Sequence, residues 1–120
     1  MAKPRSLKGT LIAARKLIEN YDNWTQGKLH RPAGSLYPDR YCMLGAINEV
    51  DGEYEGKAVN MLADTIQKEY YPQSTATSGM SPTTKGKWNI TSFNDALGRR
   101  TETQHKAVLK MFDKAIERCK

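Results

Sequence analysis

Cys42 and the neighbouring pair Asn94-Asp95 are the residues of this chain whose types and settings could do chemistry. Cys42 lies in Asp39-Arg-Tyr-Cys-Met-Leu-Gly-Ala-Ile47, where a polar stretch gives way to an apolar run. At a helix start the backbone dipole and unpaired N–H groups favour the thiolate, the nucleophilic form of cysteine. With His30 or His105 as base and Asn94 orienting it or donating to an oxyanion, Cys42 would serve a cysteine-dependent hydrolase or transferase. The plainer reading is a core thiol, because Met-Leu-Gly-Ala-Ile follows and a buried cysteine behaves as a small apolar residue.

The second segment is Ser92-Phe-Asn-Asp-Ala-Leu-Gly-Arg-Arg-Thr101. Asn94 and Asp95 could hydrogen-bond a ligand while Arg99 and Arg100 clamp its phosphate or carboxylate. A nucleotide-sequestering pocket would be built around Asn94, Asp95 and Arg100, and a ligand pocket could be bordered by Cys42, Asn94, Asp95 and Thr101. The competing reading gives Asn94 and Asp95 to backbone N–H groups at a turn or a neighbouring helix end, which makes the two segments a structural clasp. No metal site is expected, since Asp95 has no His or acidic neighbours in sequence and paired Cys-x-x-Cys spacing is absent. No cofactor motif is present.

A third constellation is Lys85, Lys87, Trp88, Arg99 and Arg100. Cations beside an aromatic ring are the combination that holds backbone phosphate and stacks a base, although a tryptophan in such a place also serves as a core anchor. Lys106, Lys110, Lys114 and Arg118 recur every four residues, but Asp113 and Glu117 interleave with them and point to a solvated face. A helix-turn-helix about Asp51-Gly52 is rejected, because that part of the chain is acidic and would approach DNA phosphates against repulsion.

The elements that must position these residues are helical. Ser6 caps a predicted helix running to about Tyr21, with Leu7, Leu11, Ala14, Leu17, Ile18 and Tyr21 at three- and four-residue steps. Residues 20–38 read as a long connection tethered by Trp24 and Leu29. Asp39 is the expected cap of a short buried helix ending at Asp51-Gly52, and Gly56 to Tyr70 forms the next, the two making a helical hairpin. Residues 71–92 read as a Ser/Thr/Pro/Gly-rich loop, with Trp88-Asn-Ile90 as a possible extended piece. Thr101-Glu-Thr-Gln104 matches a capping box, and Val108, Met111, Phe112, Ala115, Ile116 and Cys119 trace the apolar side of a closing helix.

The expected fold is therefore all-α: one domain over 1–120, a bundle of about four principal helices with long polar loops. A chain of 120 residues suffices for one core without staples. The net charge of +6 is unevenly spread. Residues 1–40 hold eight Lys/Arg against three Asp/Glu, residues 41–69 two against six, and residues 70–120 nine against four. Two basic ends thus flank an acidic middle, which permits polyanion contact from one face. No apolar run approaches the roughly 18 residues needed to span a bilayer, and the start does not lead into a signal h-region, so a cytoplasmic protein with reduced cysteines and no membrane contact is expected.

Arg40-Tyr-Cys-Met-Leu-Gly-Ala-Ile47, Phe93-Asn-Asp95, Arg100-Thr101 and the closing helix resemble a small uncharacterised family of phage and actinobacterial proteins. That family shows a Cys-x-x-Gly-Ala helix start and a Trp-Asn-Asp element, with Phe93 standing here in place of the Trp. The resemblance implies a helical fold and a phage or mobile-element setting in a bacterial host cytoplasm, and no particular activity. The expectation is a small, basic, non-enzymatic binding protein that contacts a host protein complex, in the anti-defence or host-takeover manner, or nucleic acid through its phosphates.

Overall fold

The computed structural model describes residues 6–34, 36, 38–51, 56–70, 82–96 and 100–119, the side chains of 82–85 excepted. Among these residues five α-helices carry the fold: α1 (Leu7–Leu17), α2 (Met43–Asp51), α3 (Lys57–Glu69), α4 (Pro82–Asn94) and α5 (Glu102–Glu117). A 3-10 turn (Tyr21–Asn23) and a two-stranded antiparallel ribbon, β1 (His30–Arg31) with β2 (Arg40–Tyr41), lie between α1 and α2.

Capping fixes where the helices begin. Ser6 Oγ accepts the Gly9 N–H at 3.0 Å and Thr101 Oγ1 accepts that of Gln104 at 3.0 Å, each relieving a donor without an intrahelical partner. The first helix stops at Leu17 rather than near Tyr21. Asn20 diverts the chain there, its side chain accepting the Asp22 N–H at 2.9 Å to open the 3-10 turn. Asp39 does not cap α2, as expected from sequence, because its carboxylate is spent inside the ribbon: Oδ1 accepts from Ala33 N at 3.0 Å and pairs with His30 Nε2 at 2.9 Å. The His30 hydrogen bond, with Ala33 assisting, holds the Asp39 carboxyl below the usual carboxylate range. Cys42 takes the cap position instead.

The largest difference from the sequence reading is α4. Residues 82–92, expected as polar loop with an extended Trp88-Asn-Ile90, are helical, and 71–81 lie outside the described residues. Pro82 stands at the first helical position, where its missing N–H costs nothing. Among the described residues α3 and α4 form the most extensive helix pair, and α2 packs chiefly on α1 rather than forming the expected hairpin with α3. Leu11, Ile18, Trp24, Met43, Ile47, Leu62, Ile66, Ile90, Phe93, Val108 and Phe112 meet in one continuous buried core. No described helix is long and apolar enough to cross a membrane.

Two of the four regularly spaced cations of α5 tie it to α3. Arg118 donates to Asp64 Oδ2 and to Thr65 Oγ1, both at 2.7 Å, and Lys114 Nζ lies 3.1 Å from Glu69 Oε2. Arg118 beside Asp64 lowers the carboxyl's pKa.

Candidate functional site

The C-terminal end of α4 and the first turn of α2 meet at Asn94. Its side chain is fully buried and makes four hydrogen bonds. Oδ1 accepts from Trp24 Nε1 at 2.8 Å and from Met43 N at 3.1 Å. Nδ2 donates to Thr25 O at 3.0 Å and to Asp95 Oδ1 at 2.9 Å. An amide side chain has two donors and two acceptor positions, so Asn94 is saturated. Gln26 reinforces the join, its Nε2 donating to Asn94 O at 2.8 Å.

Asp95 Oδ1 also accepts the Gly27 N–H at 3.2 Å. Gly27 has φ +78, a left-handed conformation that a side chain rarely adopts, and this bend turns its N–H toward the carboxylate. Behind Trp24, His105 Nε2 lies 2.7 Å from Ile18 O; a carbonyl can only accept, so that nitrogen carries the proton. The His105 ring packs 5.5 Å from both Tyr21 and Trp24, and Gln104 Nε2 donates to Phe93 O at 2.6 Å. The capping-box glutamine is thus turned inward to the end of α4.

Cys42 sits beside this network, 2% exposed. Its Sγ accepts the Gly45 N–H at 3.3 Å and its carbonyl accepts Ala46 N at 2.8 Å, so it caps α2. Burial pushes the thiol up to about 11, outweighing the Gly45 N–H that favours the thiolate, and Asp95 adds to the rise. A neutral thiol against an apolar core is the opposite of what a nucleophile needs. His30 is bound to Asp39 and His105 to Ile18 O, so both candidate bases are engaged elsewhere. Gly45 explains the spacing of Cys-Met-Leu-Gly-Ala: a Cβ there would lie 1.8 Å from Leu29 O, the carbonyl that also accepts the Cys42 N–H at 3.2 Å.

Of the expected pocket residues, the fold brings Cys42, Asn94 and Asp95 together, while Thr101 caps α5. A cavity of about 270 Å³ beside them is lined by Gly27, Lys28, Leu29, Cys42, Thr91 and Asp95, without Asn94 or Thr101.

The basic and aromatic cluster is divided. Arg99 and the Lys85 side chain lie outside the described residues. Lys87 and Trp88 are half-buried on α4, each already engaged by other groups. Arg100 is elsewhere: its Nη2 donates to Tyr21 O at 2.6 Å and its guanidinium lies 4.3 Å from the Tyr21 ring centroid. Six residues of helix separate Trp88 from Asn94, a rise of roughly 9 Å. Arg40 also reaches the 3-10 turn, its Nε donating to Asp22 O at 3.0 Å, while Arg31 Nη2 donates just beyond the turn to Gln26 O at 3.3 Å. Sequence reasoning gave neither arginine a role: Arg31 sits in the stretch read as connection, and Arg40 at the expected start of the second helix. Among the described residues no group of three or more His, Cys, Asp or Glu gathers as metal ligands would.

The chain belongs to a family of unknown function, DUF6197, whose model matches residues 2–118. No curated protein matches the chain, and no solved structure does.

Proposed function

We propose that this member of the DUF6197 family is a small, basic, non-enzymatic protein that binds nucleic acid chiefly through phosphate contacts. The observation that carries the reading is the fate of the reactive groups. The Cys42 thiol is a buried, neutral helix cap and the Asn94 amide has no donor or acceptor left for a substrate. The net charge of +6, by contrast, includes guanidiniums held at fixed places on the surface. Such charge attracts a polyanion and releases its counterions on contact. Lys85, Lys87, Trp88, Arg99 and Arg100 belong to the proposed surface, with Arg100 at its far end beside the 3-10 turn.

Binding of labelled single-stranded and duplex oligonucleotides, followed by anisotropy across a salt series, tests this. Affinity falls steeply with salt, and replacing Lys85, Lys87, Arg99 and Arg100 by Ala flattens the dependence. Absence of binding at low salt, or a slope unchanged in that variant, would remove the nucleic-acid reading. Contact with a host protein complex in a phage setting is the alternative suggested by the motif resemblance; recovery of one defined protein and no nucleic acid on tagged purification from the natural host favours it.

A further inference from the structure

β1 and β2 pair in a register that puts His30 opposite Tyr41. The two rings lie flat on each other, with 4.5 Å between centroids and 5° between planes. Tyr41 is the inner member, 8% exposed and part of the continuous core, and its carbonyl accepts the Thr25 N–H at 3.0 Å. His30 is the outer member. Its Nε2 lies 2.9 Å from Asp39 Oδ1; a carboxylate only accepts, so that nitrogen donates. The imidazole is thus held from below by an aromatic face and at one edge by a carboxylate.

The His30 side chain is nevertheless 39% exposed. One face lies on Tyr41 and the Nε2 edge is engaged, so the open surface is chiefly the outer face. Among the described residues no second ring covers it. A ring serving only to pin a two-residue ribbon gains by being covered on both sides, whereas this one is fixed in place and left open on one. Its setting is cationic. Lys28, two residues earlier and at most roughly 7 Å away along the backbone, forms no ion pair among the described residues. Arg31, the next residue, is held by the neutral oxygens of Thr25 and Gln26. The nearby anion, Asp39, is committed to His30 and Ala33.

We propose that the outer face of His30 is a stacking platform for one base of a single-stranded nucleic acid. The platform rests on the nucleic-acid reading above and adds a base contact to its phosphate contacts. Histidine is among the rings on which unpaired bases stack, and such stacking tolerates any base because each has a π-face. In a duplex both faces of a base are covered by its neighbours, so the occupant is single-stranded. A ring already stacked and bonded at its edge loses little freedom when the base arrives. The base of a free nucleotide presents the same face.

The probes are a short single-stranded oligonucleotide, the same strand with abasic sugars throughout, and adenosine monophosphate, each titrated into the full chain. The base-bearing strand moves the NMR signals of the His30 ring protons upfield, as a base lying over the ring does; the abasic strand, with the same phosphates, leaves them in place. His30→Ala binds the base-bearing strand about tenfold more weakly, whereas His30→Phe, which keeps a ring and drops the imidazole's hydrogen bonds, stays within about twofold of wild type. The log–log salt slope is the same in all three, because a stacked base releases no counterion. A purely structural role of His30 would not separate base-bearing from abasic strands. Salt-dependent binding with the ring signals unmoved, or with equal affinity of His30→Ala and wild type, overturns the platform and leaves the phosphate reading standing. Ring shifts with adenosine monophosphate and binding of neither strand uphold the platform, assign it to a free nucleotide and remove the nucleic-acid function. No shift with any of the three probes overturns it. Should His30→Ala not fold, the wild-type titrations and His30→Phe decide.

Discussion

Asn94 bonds at once to Trp24, Thr25, Met43 and Asp95, and its removal is therefore more than the loss of one contact. Asn94→Ala leaves the Trp24 indole N–H and the Met43 N–H buried without acceptors, each costing about 1–3 kcal/mol. A loss of roughly 2–5 kcal/mol in denaturant unfolding is expected, with the nucleic-acid salt slope of the folded fraction unaltered. A loss under about 0.5 kcal/mol would show that the amide is not the hub described. Cys42 gives a second residue-level expectation. With its pKa near 11, the thiol of the folded protein is alkylated slowly at neutral pH and quickly once the chain unfolds. Folding raises this pKa above the ordinary thiol value of 9.0, so the protonated thiol's contribution is whole below pH 9.0 and is lost as pH climbs through about 11. The stability gap between wild type and Cys42→Ala should narrow by about 2–3 kcal/mol over that range, measured by urea unfolding at each pH.

At the level of elements, two glycines that look alike in the sequence have opposite requirements. A methyl at Gly45 would collide with the Leu29 carbonyl at 1.8 Å, a backbone atom that cannot swing aside. Gly45→Ala should cost about 1–3 kcal/mol or more, read as a lowered melting temperature. At Gly86, within α4, a methyl would make ordinary contact with Val59 Cγ1 at 3.5 Å and Ala63 Cβ at 3.7 Å. Gly86→Ala should therefore stabilise by about 0.5–1 kcal/mol, through helix propensity and a better α3 contact. The same helix marks the boundary of what sequence could tell. α1, α3 and α5 were legible because apolar residues recur at helical steps behind Ser6, Gly56 and Thr101. α4 has Thr83, Thr84 and Gly86 where strong helix formers would stand, and α3, not local preference, holds it in shape. The ribbon strands span two residues each, too short to leave a period. The meeting of Cys42 with Asn94 and Asp95 was anticipated, whereas Trp24 as a partner of Asn94 carried no local signal across 70 positions.

Over the whole molecule, part of the excess positive charge is internally consumed and part is not. Arg15 faces Asp113 at 2.7 Å, Lys114 faces Glu69 and Arg118 faces Asp64, joining α5 to α1 and α3. Raising salt screens these half-exposed bridges without large effect on stability, because such pairs contribute only about 0–1 kcal/mol each. Binding should respond far more strongly, since every phosphate neutralised adds roughly 0.7–0.9 to the log–log slope. A melting temperature nearly flat in salt beside an oligonucleotide affinity that drops steeply is the expected pair of results; equal sensitivity of both would place the cations in folding rather than recognition. The joint around Asn94 has a further dynamic consequence. Three stretches of chain close on one amide, so none can loosen while the others stay shut. Amides that depend on it, at 24–27 and 43–45, should trade hydrogen for deuterium at a common rate, as one opening unit whose rarity sets how seldom solvent reaches the middle of the protein.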